Sequence, residues 1–73
     1  MQDSFGVRLM KAQNRAGIST TQLAMAIDAN LTTISGLRVD RHGCSVERLK
    51  AICEVLKCSS DFLLGLSDKP EMK

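Results

Sequence analysis

The chain has 73 residues, 44% of them hydrophobic and 3% aromatic, and a formal net charge of +2. That length holds one small domain with a modest core, whose stability a dimer partner would raise. No apolar run approaches the ~20 residues of a membrane helix, the N-terminus has neither the basic start nor the apolar stretch of a secretory signal, and the small positive charge permits nucleic-acid binding without demanding it.

Residues Asp3 to Arg15 are predicted to form the first helix, capped by Asp3 or Ser4. Phe5, Leu9, Ala12 and Ala16 recur at i, i+4, i+7 and i+11 and make one apolar stripe. Arg8, Lys11 and Arg15 share the opposite side, and Arg8 and Lys11 are read as a solvated face. Gly17 ends the helix, because a residue without Cβ takes the left-handed conformation at little cost. Ser19 then caps a second helix, Thr20 to Ile27, and Asn30 a third, Leu31 to about Arg38. Leu23, Ala24 and Ile27 fall on one face of the second, and Ile34 and Leu37 on one face of the third. Ala24 is small enough to let the two axes approach. The turn around Asp28 and Ala29 is too short for a wide excursion, which is the layout of a helix-turn-helix. Asp28 stands where a left-handed residue is wanted, and Asp tolerates that better than most non-glycines.

Val39 to Cys44 is a polar loop carrying Arg41 and His42 beside Arg38. Ser45 caps a fourth helix, Val46 to Lys57, with Glu47 in the first turn favouring the positive end of its dipole. Val46, Leu49, Ile52, Cys53 and Leu56 form its apolar stripe. Ser59 caps a short fifth helix, Ser60 to Leu64, ended by Gly65. Phe62, Leu63 and Leu66 give that helix more apolar surface than it can bury alone, so the three are the expected dimer contact. The domain is read as residues 1–66, with the helix-turn-helix at 20–38, and residues 67–73 as a polar tail, frayed from Lys69 on.

The three cysteines, Cys44, Cys53 and Cys58, read as reduced thiols. With His42 they match no compact zinc spacing, and neither a metal nor a cofactor is expected. An enzyme has little behind it: one histidine, no Gly-rich phosphate loop and no clustered carboxylates.

Gly17-Ile18-Ser19, Leu23-Ala24, Thr33-Ile34-Ser35-Gly36-Leu37, Ser45-Val46-Glu47-Arg48-Leu49 and Asp61-Phe62-Leu63-Leu64-Gly65 together resemble the phage repressor and Cro-type family, also called the Xre family. The likeness spans roughly residues 5 to 66, and the Leu63-to-Asp68 ending is typical of bacterial members. It implies an all-α, compact five-helix bundle of the lambda-repressor-like DNA-binding type. It also implies a cytoplasmic, bacterial or phage regulator of transcription, a repressor by preference, that binds a palindromic operator in double-stranded DNA as a homodimer. No membrane and no small-molecule ligand is implied. The third helix would enter the major groove. Carried over from phage members, the base-reading positions are Leu31, Thr32 and Gly36, with Thr33 and Ser35 beside them on the exposed side. Backbone contacts would come from Arg38, Arg41 and Arg15, from Thr20 and Thr21, and from Asn30 at the N-terminus of the third helix. Many members carry Gln where Thr20 and Leu31 stand here, and Gly where Asp28 stands. Leu31 can only pack on a thymine methyl, Thr32 is a permissive reader, and Gly36 reads nothing by side chain. That plain reading surface motivates an alternative: the same fold used as a protein-interaction module, such as an antitoxin or accessory subunit with weak DNA binding.

Overall fold

A computed structural model of the chain describes residues 4–40 and 43–70. The alternative cap Asp3 and the loop residues Arg41 and His42 lie outside that set. Five helices follow in order: α1 (Phe5–Ala16), α2 (Thr20–Ala26), α3 (Leu31–Arg38), α4 (Val46–Leu56) and α5 (Ser60–Leu64). The expected elements are all present, with α1, α2 and α4 shifted by one or two residues at their ends.

Serine starts four of these helices. The hydroxyls of Ser4, Ser19, Ser45 and Ser59 accept from the amides of Val7, Gln22, Arg48 and Phe62, each satisfying a donor that the first helical turn leaves open. At Ser19 the Gln22 side chain also returns a bond to the serine amide at 2.8 Å, completing a capping box. Asn30 occupies the same position before α3 but makes no side-chain capping bond, contrary to expectation.

The helix ends share a device as well. Gly17, Asp28, Asp40, Lys57 and Gly65 all take positive φ just past a helix. Behind Gly17, Asp28, Lys57 and Gly65 an amide turns back to a helical carbonyl, as in Ala29 N–H to the Ala24 carbonyl at 2.8 Å and Leu66 N–H to that of Asp61 at 2.8 Å. In the helix-turn-helix this closes α2 within two residues, so α3 starts at once and at a set angle. Asp28 takes the left-handed role at φ 55, at a cost of about 1 kcal/mol that glycine would avoid.

The apolar faces meet in one core. Leu9, Leu23, Ile34, Leu37, Ile52, Leu56, Cys58 and Leu63 are fully buried, with Ala12, Ala24, Cys53 and Phe62 nearly so. Each buried aliphatic side chain contributes about 2 kcal/mol of transfer free energy. α1 lies at the centre, packed on α3 to one side and α5 to the other, while α2 packs on α3. At the α1–α3 crossing the backbones touch. A Cβ on Gly6 would collide with the Arg38 carbonyl oxygen and stand 2.9 Å from that of Leu37. Asp40 completes this junction, its carboxylate accepting from the Gly6 amide at 2.9 Å. A negative charge thus sits on the positive end of α1.

Arg8 is not on a solvated face. It is 6% exposed and lies 5.1 Å from the centroid of the Phe62 ring. Its guanidinium donates to the Phe62 and Ser67 carbonyls at 2.9 Å each, and to Asp68 at 3.2 Å. The arginine gives the Phe62 carbonyl a second donor beside the Gly65 amide and binds the Ser67 carbonyl just past α5, and these charge-assisted bonds are why it can be buried. The same bonds correct the expected domain limit, because residues 67–70 belong to the fold. Ser59 donates from its amide to the Pro70 carbonyl at 2.8 Å and from its hydroxyl to that of Lys69 at 3.3 Å. The region expected to fray is held at least through Pro70.

Candidate nucleic-acid interface

α3 is amphipathic across its short length. Ile34 and Leu37 anchor it in the core, while Leu31, Thr32 and Ser35 face outward and Thr33 is half-buried. Leu31 is 51% exposed and stands one turn from Ser35. These residues form a small surface of methyl groups and hydroxyls at the N-terminal end of the helix. Gly36 does not join it. It is buried, facing the inside of the domain, so it presents nothing to a base edge and leaves the expected reading set.

The start of α3 is chemically open. The Asn30 carbonyl accepts from the Thr33 and Ile34 amides, as the first turn requires, but the Asn30 side chain remains exposed and makes no cap. The amides of the first turn keep their partial positive charge toward solvent. This is the one helix start among the described residues that no side chain closes.

At the other end of the motif, two of the expected backbone contacts meet each other. The Arg38 guanidinium donates to the Thr20 hydroxyl oxygen at 2.6 Å. Gln13, only 4% exposed, donates to the same oxygen at 3.4 Å and to the Ile18 carbonyl at 3.3 Å. A hydroxyl has two acceptor lone pairs and one donor hydrogen. With both lone pairs engaged, Thr20 can only donate outward, which suits an anionic oxygen. Neither Gln13 nor this clasp is visible in the sequence pattern, because Gln13 breaks no periodicity and its partners depend on how α2 returns past α1.

The remaining candidates are scattered. Thr21 is exposed beside Thr20 on α2. Arg15 donates to the Lys57 carbonyl at 3.1 Å and is thereby tied to the end of α4. Arg41 lies outside the described residues. Of the three expected dimer residues, Phe62 is 8% exposed and Leu63 wholly buried, so both belong to the core of the single chain. They cannot also cover a partner, because Phe62 already packs under Arg8. Leu66 remains on the surface at 75% exposed, joined by Leu64 at 53%. Leu66 thus stays in the expected exposed set and Leu64 is added to it, where the left-handed Gly65 turns the chain.

The fold and this geometry can now be compared with known proteins. Residues 8–69 match the Cro/C1-type HTH DNA-binding domain. The chain belongs to that family. The family is one of DNA-binding domains and not of enzymes. Among solved structures, the chain is similar to the P22 c2 repressor protein, crystallised in complex with synthetic operator 9T in the presence of Tl+. The two share 23% sequence identity with a TM-score of 0.81, over 89% of this chain and 98% of that one. The likeness establishes the lambda-repressor-like five-helix arrangement. A comparison with curated protein sequences gave no match. Among the described residues of this Cro/C1-type domain, no helix is long and apolar enough to cross a membrane.

Proposed function

We propose that this Cro/C1-type domain is a sequence-specific regulator, a repressor, that binds duplex DNA as a homodimer in the compartment holding that DNA. The observation that carries the reading is the uncapped, exposed first turn of α3, with Leu31, Thr32 and Ser35 outward and Ile34 and Leu37 locked in the core. α3 enters the major groove by this end. Leu31 packs on a thymine methyl, and Thr32 and Ser35 each offer one hydroxyl to a base edge, with Thr33 at the margin. The first-turn amides and Asn30 face a phosphate. Thr20 donates to a second phosphate while Arg38, bound to the same hydroxyl, supplies the charge; Thr21 and, from the loop, Arg41 extend the backbone contacts. Two copies joined through Leu66 and Leu64 set their α3 helices about 34 Å apart on a two-fold symmetric site. Repression follows from occupancy of that site.

Selection from a pool of random duplexes tests this. A thymine-containing half-site, recovered twice with two-fold symmetry, is the expected result. No enrichment at low salt, where phosphate contacts are strongest, overturns it in favour of a protein-interaction module built on the same fold. On the selected duplex, Arg38→Ala should shallow the salt slope by about one unit.

A further inference from the structure

Gln13 is 4% exposed and holds the stretch that leads into the helix-turn-helix. Its backbone carbonyl accepts from the Ile18 amide at 3.0 Å, and its side-chain amide donates to the Ile18 carbonyl at 3.3 Å. Both backbone polar groups of Ile18 are thus tied to one residue, two positions before Thr20. The Ile18 carbonyl can only accept, which fixes the Gln13 side chain with its nitrogen toward residues 18 and 20. That nitrogen also donates to the Thr20 hydroxyl oxygen at 3.4 Å, while Arg38 donates to the same oxygen from α3 at 2.6 Å. The Oε1 atom of Gln13 is buried and has no hydrogen-bond partner among the described residues. Half of the amide thus works against stability, and the half that is engaged is aimed at the entry to α2.

We propose that Gln13 is a positioning residue for DNA binding: together with Arg38 it holds the Thr20 hydroxyl with its hydrogen outward, as an obligate donor to a phosphate oxygen. The inference rests on the reading of this domain as a duplex-DNA binder through α2 and α3. A free threonine hydroxyl donates or accepts as its surroundings allow. A phosphate oxygen that carries charge only accepts. Two donors on the hydroxyl oxygen fill both of its lone pairs and leave the hydrogen for an outside acceptor before any DNA arrives. The Arg38 bond is charge-assisted, and it polarises the O–H that faces out. Arg38 is half-buried and can meet the phosphate itself, whereas Gln13 is shut off from solvent and acts only through Thr20.

Substitution at this position separates positioning from packing. Gln13→Glu keeps size and shape but exchanges the donor for an acceptor. The Thr20 hydrogen then turns inward to the carboxylate, and the phosphate meets a lone pair. Gln13→Met keeps the length and removes the donor alone, which leaves the hydroxyl free to rotate. The first change should therefore cost more affinity than the second. Both costs need the Thr20 hydroxyl, so both should vanish in Thr20→Val, which keeps the shape without the oxygen. A carboxylate that merely repelled DNA would cost the same with or without that hydroxyl.

The test is a double-mutant cycle on the full chain, reading affinity for the selected duplex at one fixed salt concentration. The expected result is a loss of about tenfold in Thr20→Val and in Gln13→Glu, the worth of one hydrogen bond to a charged group, and no further loss when the two are combined. Thr20→Ser retains the hydroxyl and should retain the dependence on Gln13. Circular dichroism checks that the variants fold. If Gln13→Glu does not, the cycle is run with Gln13→Met, where a loss of about threefold that disappears in the Thr20→Val background is expected. Additive losses, or a folded Gln13 variant that binds like the wild type, overturn the role of Gln13 and leave the DNA-binding reading standing. A wild type that binds no duplex overturns both.

Discussion

α5 and α3 are both short, five and eight residues, and they are treated in opposite ways. α5 is closed at each end by its own chain. Ser59 caps its first turn, Gly65 turns the chain past its last, and the Phe62 carbonyl accepts from both the Gly65 amide and Arg8. α3 is closed at its C-terminus only, where Gly6 packs against its last carbonyls and Asp40 ties the two helices together. Its N-terminus has no side-chain cap and shows Leu31, Thr32 and Ser35 to solvent. A helix whose polar ends are all satisfied internally is scaffold. A helix held rigidly at one end and left unsatisfied at the other is presented to something outside.

This contrast makes graded predictions. The largest effect is expected at the closed helix: Phe62→Ala removes an 8%-exposed aromatic and should cost ~3–5 kcal/mol in urea unfolding. Gly6→Ala should follow at about 3 kcal/mol, since the new methyl meets backbone and not a movable side chain. It should also weaken duplex binding, because relief of the clash displaces α3. A near-neutral result would show that the α1–α3 contact does not position the reading helix. Arg8→Met keeps much of the apolar stem but strips the donors from the Phe62 and Ser67 carbonyls, for a loss of about 2 kcal/mol. Asp68→Asn, at a side chain that is itself 97% exposed, should leave stability almost unchanged, as a solvent-facing ion pair contributes little. Equal losses at the two positions would mean that the ion pair, and not the carbonyl bonds, holds the C-terminal segment. At the open helix, Thr32→Ala should move stability by less than about 0.5 kcal/mol while weakening binding to the selected duplex. A stability loss larger than that would place Thr32 in the scaffold.

Much of the molecule is legible in its sequence. The serine caps, the glycines at 17 and 65 and the spacing of Leu23, Ile34, Leu37 and Leu56 are local signals, and each appears in the structure where the pattern puts it. The reading is weaker wherever a residue has two physically reasonable fates. Arg8 has the spacing of a surface cation and is buried. Phe62 and Leu63 have the apolarity of a dimer contact and fill the core. Gly36 occupies a base-reading position of the family and faces inward. Asn30 is a good capping residue that does not cap. For Arg8, Phe62 and Leu63 the deciding partner lies elsewhere in the chain.

What the sequence by itself determined is therefore the set of elements and their apolar faces, because caps, left-handed stops and periodicity act within a few residues. Only the tertiary structure decided which polar groups serve the fold and which remain outside it. The bonds that decide this join Arg8 to Phe62 and Ser67, Gly6 to Asp40, and Thr20 to Arg38, over separations of 54, 59, 34 and 18 residues. A polar group is safely buried only where a specific partner meets it. No local pattern states which helix end will arrive beside it.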